Sequence, residues 1–309
     1  MFALSTSWNA LRYSRAKDII KKIKRAGFDR VELNFNLSSA MVEEMVLLKE
    51  QGLIKVVSIH NFCPVPDSIP REMASPDIFS LSALDEDERK IAVRHTQKTI
   101  DTAARIGAKV VVLHTGKVEI DDKTLELTAF NGRKDKWRYR RLKEEFLKER
   151  RQKSGKFFTQ TLKSLEQLCR YSQRHKIMLG IENRYYLCEI PIPEEMEIIL
   201  KNFPGPPLYY WHDVGHAQVY EYLGFIKHKT ILDRFSYRMI GIHLHDVKGI
   251  DDHLPPLKGR FNFALLKPYI KRQTLKVLEP HYPATAGEII RGRDYLKELF
   301  SERIDQDDS

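Results

Sequence analysis

The stretch Lys109–His114, with the sequence KVVVLH, is a strong local indication of the fold. Its run of β-branched residues followed by leucine is typical of a strand that is buried on both faces. An amphipathic stretch from Asp85 to Ile106 precedes it and stops at Gly107, a common residue just after the last turn of a helix. A helix followed by a fully buried strand is the unit from which parallel α/β sheets are built.

The same alternation of short apolar runs and longer amphipathic stretches extends along the whole chain. The strands that we predict are Phe2–Ser7, Asp29–Phe35, Lys55–Ile59, Lys109–Leu113, Ile177–Ile181, Leu208–Trp211, Ile240–His243 and Leu275–Leu278. Predicted helices between and after them are Ser14–Ala26, Ser38–Gln51, Asp85–Ile106, a helix ending near His175, Pro193–Asn202, Thr230–Tyr237, Phe263–Arg272 and Gly287–Phe300. Eight such units without a dinucleotide-binding G-x-G-x-x-G motif favour an α/β fold made of one closed (β/α)8 barrel.

The chain has the usual length for this fold, so we expect one such barrel over residues 1–309. Cys63, Cys169 and Cys188 are odd in number and form no C-x-x-C pair, so a disulfide framework or thiolate zinc site is not expected. They suit a reducing cytoplasm, and we expect a cytoplasmic protein. No apolar run approaches the length of a membrane helix, so we expect no membrane partner.

Most of the positive charge lies in one segment. The net charge is +10, yet residues 130–156 contain twelve Lys or Arg against four Asp or Glu. We therefore predict a basic, mostly helical insert after the fourth strand, at about residues 118–156. Its Trp137 and Tyr139 lie among arginines and could stack on bases or clamp a sugar phosphate. We expect this segment to be a solvated helical extension of a lid, and a homo-oligomer contact is a further alternative.

Six of the eight predicted strands end on or just before a side chain that can bind metal. These are His60, His114, Glu182, His212 with Asp213, His243 and Glu279. In a barrel, the carboxyl ends of all strands meet at the face that carries the active site. Further candidates follow in the next turns or loops, namely His216, Asp246, Asp251, Asp252 and His253.

Convergent polar side chains at one mouth would be costly to desolvate without a common charge partner, and we expect a divalent cation in that place. The carboxylate-rich set of Glu182, Asp213, His243 and Glu279 suits Mn²⁺, Mg²⁺ or Co²⁺ in a mononuclear site. Nitrogen ligands added from neighbouring histidines would favour Zn²⁺ in a cluster. The residue types leave one metal or several open.

At these residues the chain resembles the xylose isomerase-like barrel superfamily. The resemblance is carried by Ile181-Glu182-Asn183, by His212–Ala217 (HDVGHA), by His243–Asp246 (HLHD) and by Leu278-Glu279-Pro280. It covers nearly the whole chain, from Phe2 to about Phe300. That superfamily holds sugar and sugar-phosphate isomerases and epimerases, and also abasic-site nucleases of the endonuclease IV type.

The two branches imply different uses of the same residues. In the ketose 3-epimerase branch, the residues matching Glu182, Asp213, His243 and Glu279 bind one metal, and the two glutamates move a proton at a sugar carbon. The residue matching His216 contacts substrate there. In the nuclease branch, three zinc ions use nine ligands, which match His60, His114, Glu182, Asp213, His216, His243, Asp251, His253 and Glu279.

Some features depart from the nuclease branch. The connection after the second strand is short, because only Asn36 and Leu37 separate Phe35 from the expected N-cap Ser38. The spacing from His243 to Asp251 is also shorter than in that nuclease, and the basic insert fits neither branch.

We therefore expect a metal-dependent sugar or sugar-phosphate isomerase or epimerase that acts through an enediolate, with Glu182 and Glu279 as catalytic residues. The expected substrate-binding residues are His60, His114, His216, Lys117, Arg184 and His253. The alternative is a zinc-dependent phosphodiesterase related to endonuclease IV, with nucleic acid as its partner. A barrel kept only as a binding module is disfavoured by the full set of acids and histidines.

Overall fold

The computed structural model describes residues 1–131 and 136–301. Its strands are β1 (Phe2–Ser5), β2 (Arg30–Leu33), β3 (Lys55–His60), β4 (Val110–Leu113), β5 (Met178–Glu182), β6 (Leu208–Asp213), β7 (Met239–Leu244), β8 (Asp246–Lys248), β9 (Asp251–Leu254) and β10 (Leu275–Leu278). Eight of them close into a parallel barrel in the order β1-β10-β7-β6-β5-β4-β3-β2. The predicted (β/α)8 barrel is confirmed, and β8 with β9 forms a separate antiparallel hairpin at its mouth.

Helices surround this barrel. They are α1 (Ala16–Arg25), α2 (Ser39–Glu50), α3 (Glu86–Ile106), α4 (Thr124–Phe130), α5 (Lys136–His175), α6 (Pro193–Asn202), α7 (Val214–Tyr222), α8 (His228–Phe235) and α9 (Ala286–Ser301). Ser38 and Asp85 cap α2 and α3 by accepting backbone N–H groups, which places both helix starts where the sequence predicts them. Within the described residues, none of these helices is both long and apolar enough to cross a bilayer.

The barrel strands are mostly apolar because both of their faces are buried. Val110 and Val112 pack with Trp211 in a cluster made of strand residues alone, which fills the inside of the barrel. Val111 and Leu113 belong instead to the large core between the strands and the helices. This alternation, with a period of two residues, decides which side chain at each strand end faces the mouth.

The residues after β4 form α4 and the 40-residue helix α5. The first half of α5 packs at the mouth of the barrel. There Phe146 of α5 and Leu127 of α4 belong to a second hydrophobic core. The connections after β5, β6 and β7 contribute Leu187, Tyr220 and Val247 to that core. The exposed side of this half carries most of the basic residues. Residues 132–135, which belong to the predicted basic insert, lie outside the described part of the chain.

One predicted helix is wrong. Phe263–Arg272 forms only a 3-10 helix at Phe263–Leu266, followed by turns. Pro268 explains the difference, because proline lacks the N–H that an α-helix needs in its interior. The helix α7 and the β8–β9 hairpin were not predicted, and β6 runs two residues further than expected, to Asp213.

Candidate metal centre

Four side chains meet at the mouth with their ligand atoms within 4.8 Å of one another, and all four are buried. Glu182 ends β5, Asp213 ends β6, His243 lies on β7 and Glu279 follows β10. His243 Nδ1 is at the centre of the group. It lies 2.6 Å from Glu182 Oε1, 3.0 Å from Glu279 Oε2 and 3.6 Å from Asp213 Oδ2.

The other ring nitrogen of His243 is held by a residue that the sequence analysis did not identify. Nε2 lies 3.2 Å from both carboxylate oxygens of Glu32 on β2, and Ser58 Oγ donates to Glu32 at 2.8 Å. A carboxylate at Nε2 keeps a proton there, so that Nδ1 can give its lone pair to a cation bound among the three acids. The available signal was a glutamate between Val31 and Leu33, an acid inside an apolar strand.

Asp213 is held from several sides. Its backbone N–H donates to Asn183 Oδ1 at 2.7 Å, and Asn183 Nδ2 donates to its carbonyl at 3.0 Å. His245 Nε2 lies 3.0 and 2.9 Å from its carboxylate oxygens, and the backbone N–H of His216 donates to Oδ1 at 2.8 Å. Asp213 therefore has little freedom to turn away from His243.

The electrostatics favour ionised acids around His243. Burial raises the pKa of Glu182 and Glu279, but the charges and hydrogen bonds of nearby histidines, above all His243, together outweigh burial. They hold the pKa of Glu182 well below its usual range and lower that of Glu279 to about 2. Burial lowers the pKa of His243, while Glu279, Glu32 and Glu182 raise it well above its usual range. The three ligand acids thus present negative charge that a divalent cation would neutralise in place of the His243 proton.

A second group shares Glu182 and adds His60 and His114. Their Nε2 atoms lie 3.4 and 2.8 Å from Glu182 Oε2. Their Nδ1 atoms donate elsewhere, from His60 to the Asn61 carbonyl and from His114 to Asp77 Oδ2, both at 3.0 Å. Burial lowers the pKa of His114, but Asp77 and Glu182 raise it to about 9.

A third group consists of His216, Asp252 and His253. The Nε2 atoms of the two histidines lie 3.8 and 3.7 Å from Asp252 Oδ2. Their Nδ1 atoms donate to the carbonyls of Asn183 and Glu279, at 2.9 and 3.0 Å. As in the second group, each imidazole is anchored through one nitrogen and faces a carboxylate with the other.

These donor sets fit metal. Each of the five imidazoles in the three groups has one nitrogen on an oxygen outside its group and the other toward a carboxylate ligand, the arrangement found around protein-bound metals. The four-residue group is rich in carboxylates, which suits Mn²⁺, Mg²⁺ or Co²⁺. The second and third groups each offer two nitrogens and one carboxylate, which suits Zn²⁺.

Other predicted ligands lie elsewhere. Asp251 is exposed, and Asp252 is the acid that joins His216 and His253. Asp246 accepts the backbone N–H groups of Val247, Leu257 and Phe261 at 2.9 to 3.0 Å, so it fixes the loop after β7.

His212 points out of the barrel, because alternation along β6 turns Asp213 inward. Its Nδ1 lies 2.7 Å from Tyr210 Oη and its Nε2 lies 2.9 Å from His228 Nε2.

Arg184 and Lys117, the two cations that we expect to bind substrate, have different surroundings. Arg184 is buried and forms ion pairs with Asp77 and Glu189. Its Nη1 lies 3.9 Å from Glu182 Oε2. Lys117 is exposed on an outer cavity of about 650 Å³, and none of the three metal groups contributes to the lining of that cavity.

Sequence comparison places this barrel among known proteins. The family model described as Xylose isomerase-like TIM barrel matches residues 20–299. No curated protein sequence matches the chain significantly.

Solved structures with a similar fold share only a small fraction of identical residues with the chain. A D-tagatose 3-epimerase-like protein is 17% identical with a TM-score of 0.69, over 98% of this chain and 99% of its own. A 3-keto-D-glucoside 4-epimerase from E. coli is 13% identical with a TM-score of 0.68, over 96% and 98%. The IOLI protein, solved with a zinc atom, is 13% identical with a TM-score of 0.65, over 97% and 98%. At these identities the similarity establishes the fold.

Proposed function

Because the chain belongs to the family of xylose isomerase-like TIM barrels, we propose that it is a divalent-metal-dependent isomerase or epimerase of a sugar or sugar phosphate. One observation carries the proposal. Glu182 and Glu279 approach the same atom, His243 Nδ1, at 2.6 and 3.0 Å. Two ionised acids at one metal position are the groups needed to take a proton from one face of a sugar carbon and return it to another.

A cation bound by the four residues would polarise the substrate carbonyl and stabilise the charge of the enediolate. The two glutamates are not equivalent for the proton transfer. Glu182 uses Oε1 on His243 and Oε2 on His60 and His114. Within residues 1–131 and 136–301, Oε1 of Glu279 makes no hydrogen bond. Glu279 is therefore the better base, since one of its oxygens can reach a substrate proton while the other stays in the group.

The test is exchange of solvent deuterium into a panel of ketoses and ketose phosphates, followed by NMR with Mn²⁺-, Mg²⁺- or Co²⁺-loaded protein. We expect exchange at a carbon next to the carbonyl, and we expect Glu279→Gln to abolish it. The exposed Glu126→Gln serves as the matched control and leaves exchange unchanged. Absence of exchange with every sugar and metal would refute the isomerase proposal.

A second candidate function is favoured by the second and third groups. They place two more clusters of His and carboxylate beside the first, and Glu182 is common to two of the three. Clustered zinc ions would supply Lewis acidity for hydrolysis of a phosphodiester, with nucleic acid as a substrate. In the isomerase, His60, His114, His216 and His253 would instead bind sugar oxygens. Three zinc ions per chain, together with hydrolysis of abasic-site DNA and no deuterium exchange, would favour the hydrolase.

A further inference from the structure

The connection between β3 and α3 is fixed at the mouth by Arg71. Its guanidinium donates three hydrogen bonds, of 2.6 to 3.1 Å, to backbone carbonyls in the connections after β1 and β2. Further along the same connection, Ser82 Oγ donates to the carbonyl of Lys117 at 2.8 Å. Between these two anchors lies Asp77, whose side chain is 30% exposed and turns toward the second metal group.

Asp77 Oδ2 accepts two hydrogen bonds from the site. His114 Nδ1 and Arg184 Nη2 each lie 3.0 Å from it. Arg184 also pairs with Glu189, which brings two carboxylates to one buried guanidinium. One oxygen of the Asp77 carboxylate is thus held by two donors from the site.

His114 is anchored differently from the other three histidines of the second and third groups. Those donate from Nδ1 to carbonyls of Asn61, Asn183 and Glu279, which are main-chain atoms at the ends of barrel strands. A main-chain carbonyl moves only if the barrel itself deforms. His114 depends on a side chain that is 37 residues away in the sequence, on a connection and not on a strand.

We propose that Asp77 is the positioning residue that makes His114 a metal ligand. By accepting a hydrogen bond from Nδ1–H, Asp77 keeps the proton on that nitrogen. Nε2, which lies 2.8 Å from Glu182 Oε2, could then give its lone pair to a cation held by the second group. The inference rests on the metal dependence proposed above. It adds that metal binding at the second group is coupled to the position of the β3–α3 connection.

Arg184 has a supporting part in this arrangement. Its guanidinium lies between the carboxylates of Asp77 and Glu189 and pairs with both. A cation that already has two carboxylate partners is a poor phosphate anchor. Arg184 instead holds Asp77 in line with His114 and brings positive charge toward Glu182.

The test is equilibrium dialysis of the full-length protein against zinc buffered at graded free concentrations, with zinc per chain measured by mass spectrometry. The zinc-binding step that is lost in His114→Ala is the step that belongs to the second group. We expect Asp77→Ala to weaken that same step by about 10- to 100-fold, the usual effect of losing the partner of a ligating histidine, and to spare the other steps. Asp77→Asn keeps an acceptor oxygen and should weaken it less.

Asp67→Ala is the matched control, because Asp67 lies on the same connection but away from the site. Its carboxylate accepts a hydrogen bond from Ser39 Oγ at 2.9 Å. It should bind zinc as the wild type does. If His114→Ala loses a step while both Asp77 variants bind normally, the positioning role is overturned and the metal centre stands. If His114→Ala itself binds normally, His114 is not a ligand, which overturns this inference and the zinc-cluster candidate but not the mononuclear isomerase. Should Asp77→Ala fail to fold, Asp77→Asn decides the outcome.

Discussion

Glu32 on β2 lies 3.2 Å from Nε2 of His243 on β7, and both side chains are fully buried. The pair joins two strands that are separated by β10 and β1 in the barrel order. It lies directly behind the four-residue group, since the opposite nitrogen of the same ring faces the ligand acids. A carboxylate behind a histidine ligand fixes its orientation and increases its basicity.

Replacement of Glu32 should therefore weaken the metal centre without touching a ligand. Glu32→Gln removes the charge behind His243 but keeps the shape of the side chain. We expect metal affinity at the four-residue group to fall by about 10- to 100-fold. Competition with a chelator measures it, and Glu43→Gln, at an exposed pair with Arg105, is the control. Unchanged affinity in Glu32→Gln would mean that His243 needs no such partner.

A methyl group at Gly215 should disturb the same centre from the side of Asp213. A Cβ atom built there overlaps Cε1 of His245, the imidazole that donates to the Asp213 carboxylate. We expect Gly215→Ala to lower metal affinity and to destabilise the fold by about 1–3 kcal/mol. Gly155→Ala, where a Cβ atom meets nothing within 4 Å, should instead add up to about 1 kcal/mol of stability. Equal metal affinity in both variants would argue against a role for His245.

The first half of α5 should depend on one buried ion pair. Arg150 is 2% exposed and donates to both carboxylate oxygens of Glu195 at 2.8 Å, and also to backbone carbonyls after β5. Arg150→Met leaves Glu195 charged and buried, which should cost about 3–5 kcal/mol of unfolding free energy. Arg141→Met, at an exposed pair with Glu145, should leave the unfolding free energy nearly unchanged. Urea unfolding measures both changes. Similar losses of unfolding free energy in the two variants would mean that the Arg150–Glu195 pair does not hold the first half of α5.

Stability should fall on mild acidification because His228 is buried in its neutral form. Burial lowers its pKa from 6.5 to about 3. A depressed pKa in the folded state means that the unfolded chain binds more protons between these values. Stability from this group is therefore complete above 6.5 and lost as the pH falls toward 3.

From about pH 7 to about pH 5 that loss amounts to about 2 kcal/mol. Over this pH range the unfolding free energy of His228→Gln should fall by about this amount less than that of the wild type. An equal fall in the wild type and in the variant would show that His228 is not held neutral.

The barrel could be predicted well from the sequence because each of its strands is recognisable from its own residues. Val110–Leu113 is apolar on both faces, and helices such as α3 carry their own caps. The four-residue group could also be predicted, because Glu182 and its partners stand at strand ends that any such barrel brings together. Pro268 is likewise a local signal, because a proline at this position disfavours an α-helix that continues to Arg272.

Other features needed the folded chain. Glu32 and Asp77 become partners of histidines only through contacts between residues far apart in sequence, and neither follows a strand end. The choice of Asp252 over Asp251 depends on which way each side chain of the β8–β9 hairpin faces, and its register includes an irregularity. Periodicity along a single strand carries no information on either point.

Metal content tests the central claim most directly. Wild-type protein and the double variant Glu182→Gln, Glu279→Gln would be loaded with Mn²⁺ or Zn²⁺, passed through gel filtration and analysed by mass spectrometry. We expect the wild type to keep at least one ion per chain, and the double variant to lose the ion of the four-residue group. The exposed double variant Glu43→Gln, Glu126→Gln controls for charge. Equal metal content in all three proteins would contradict the metal centre described here.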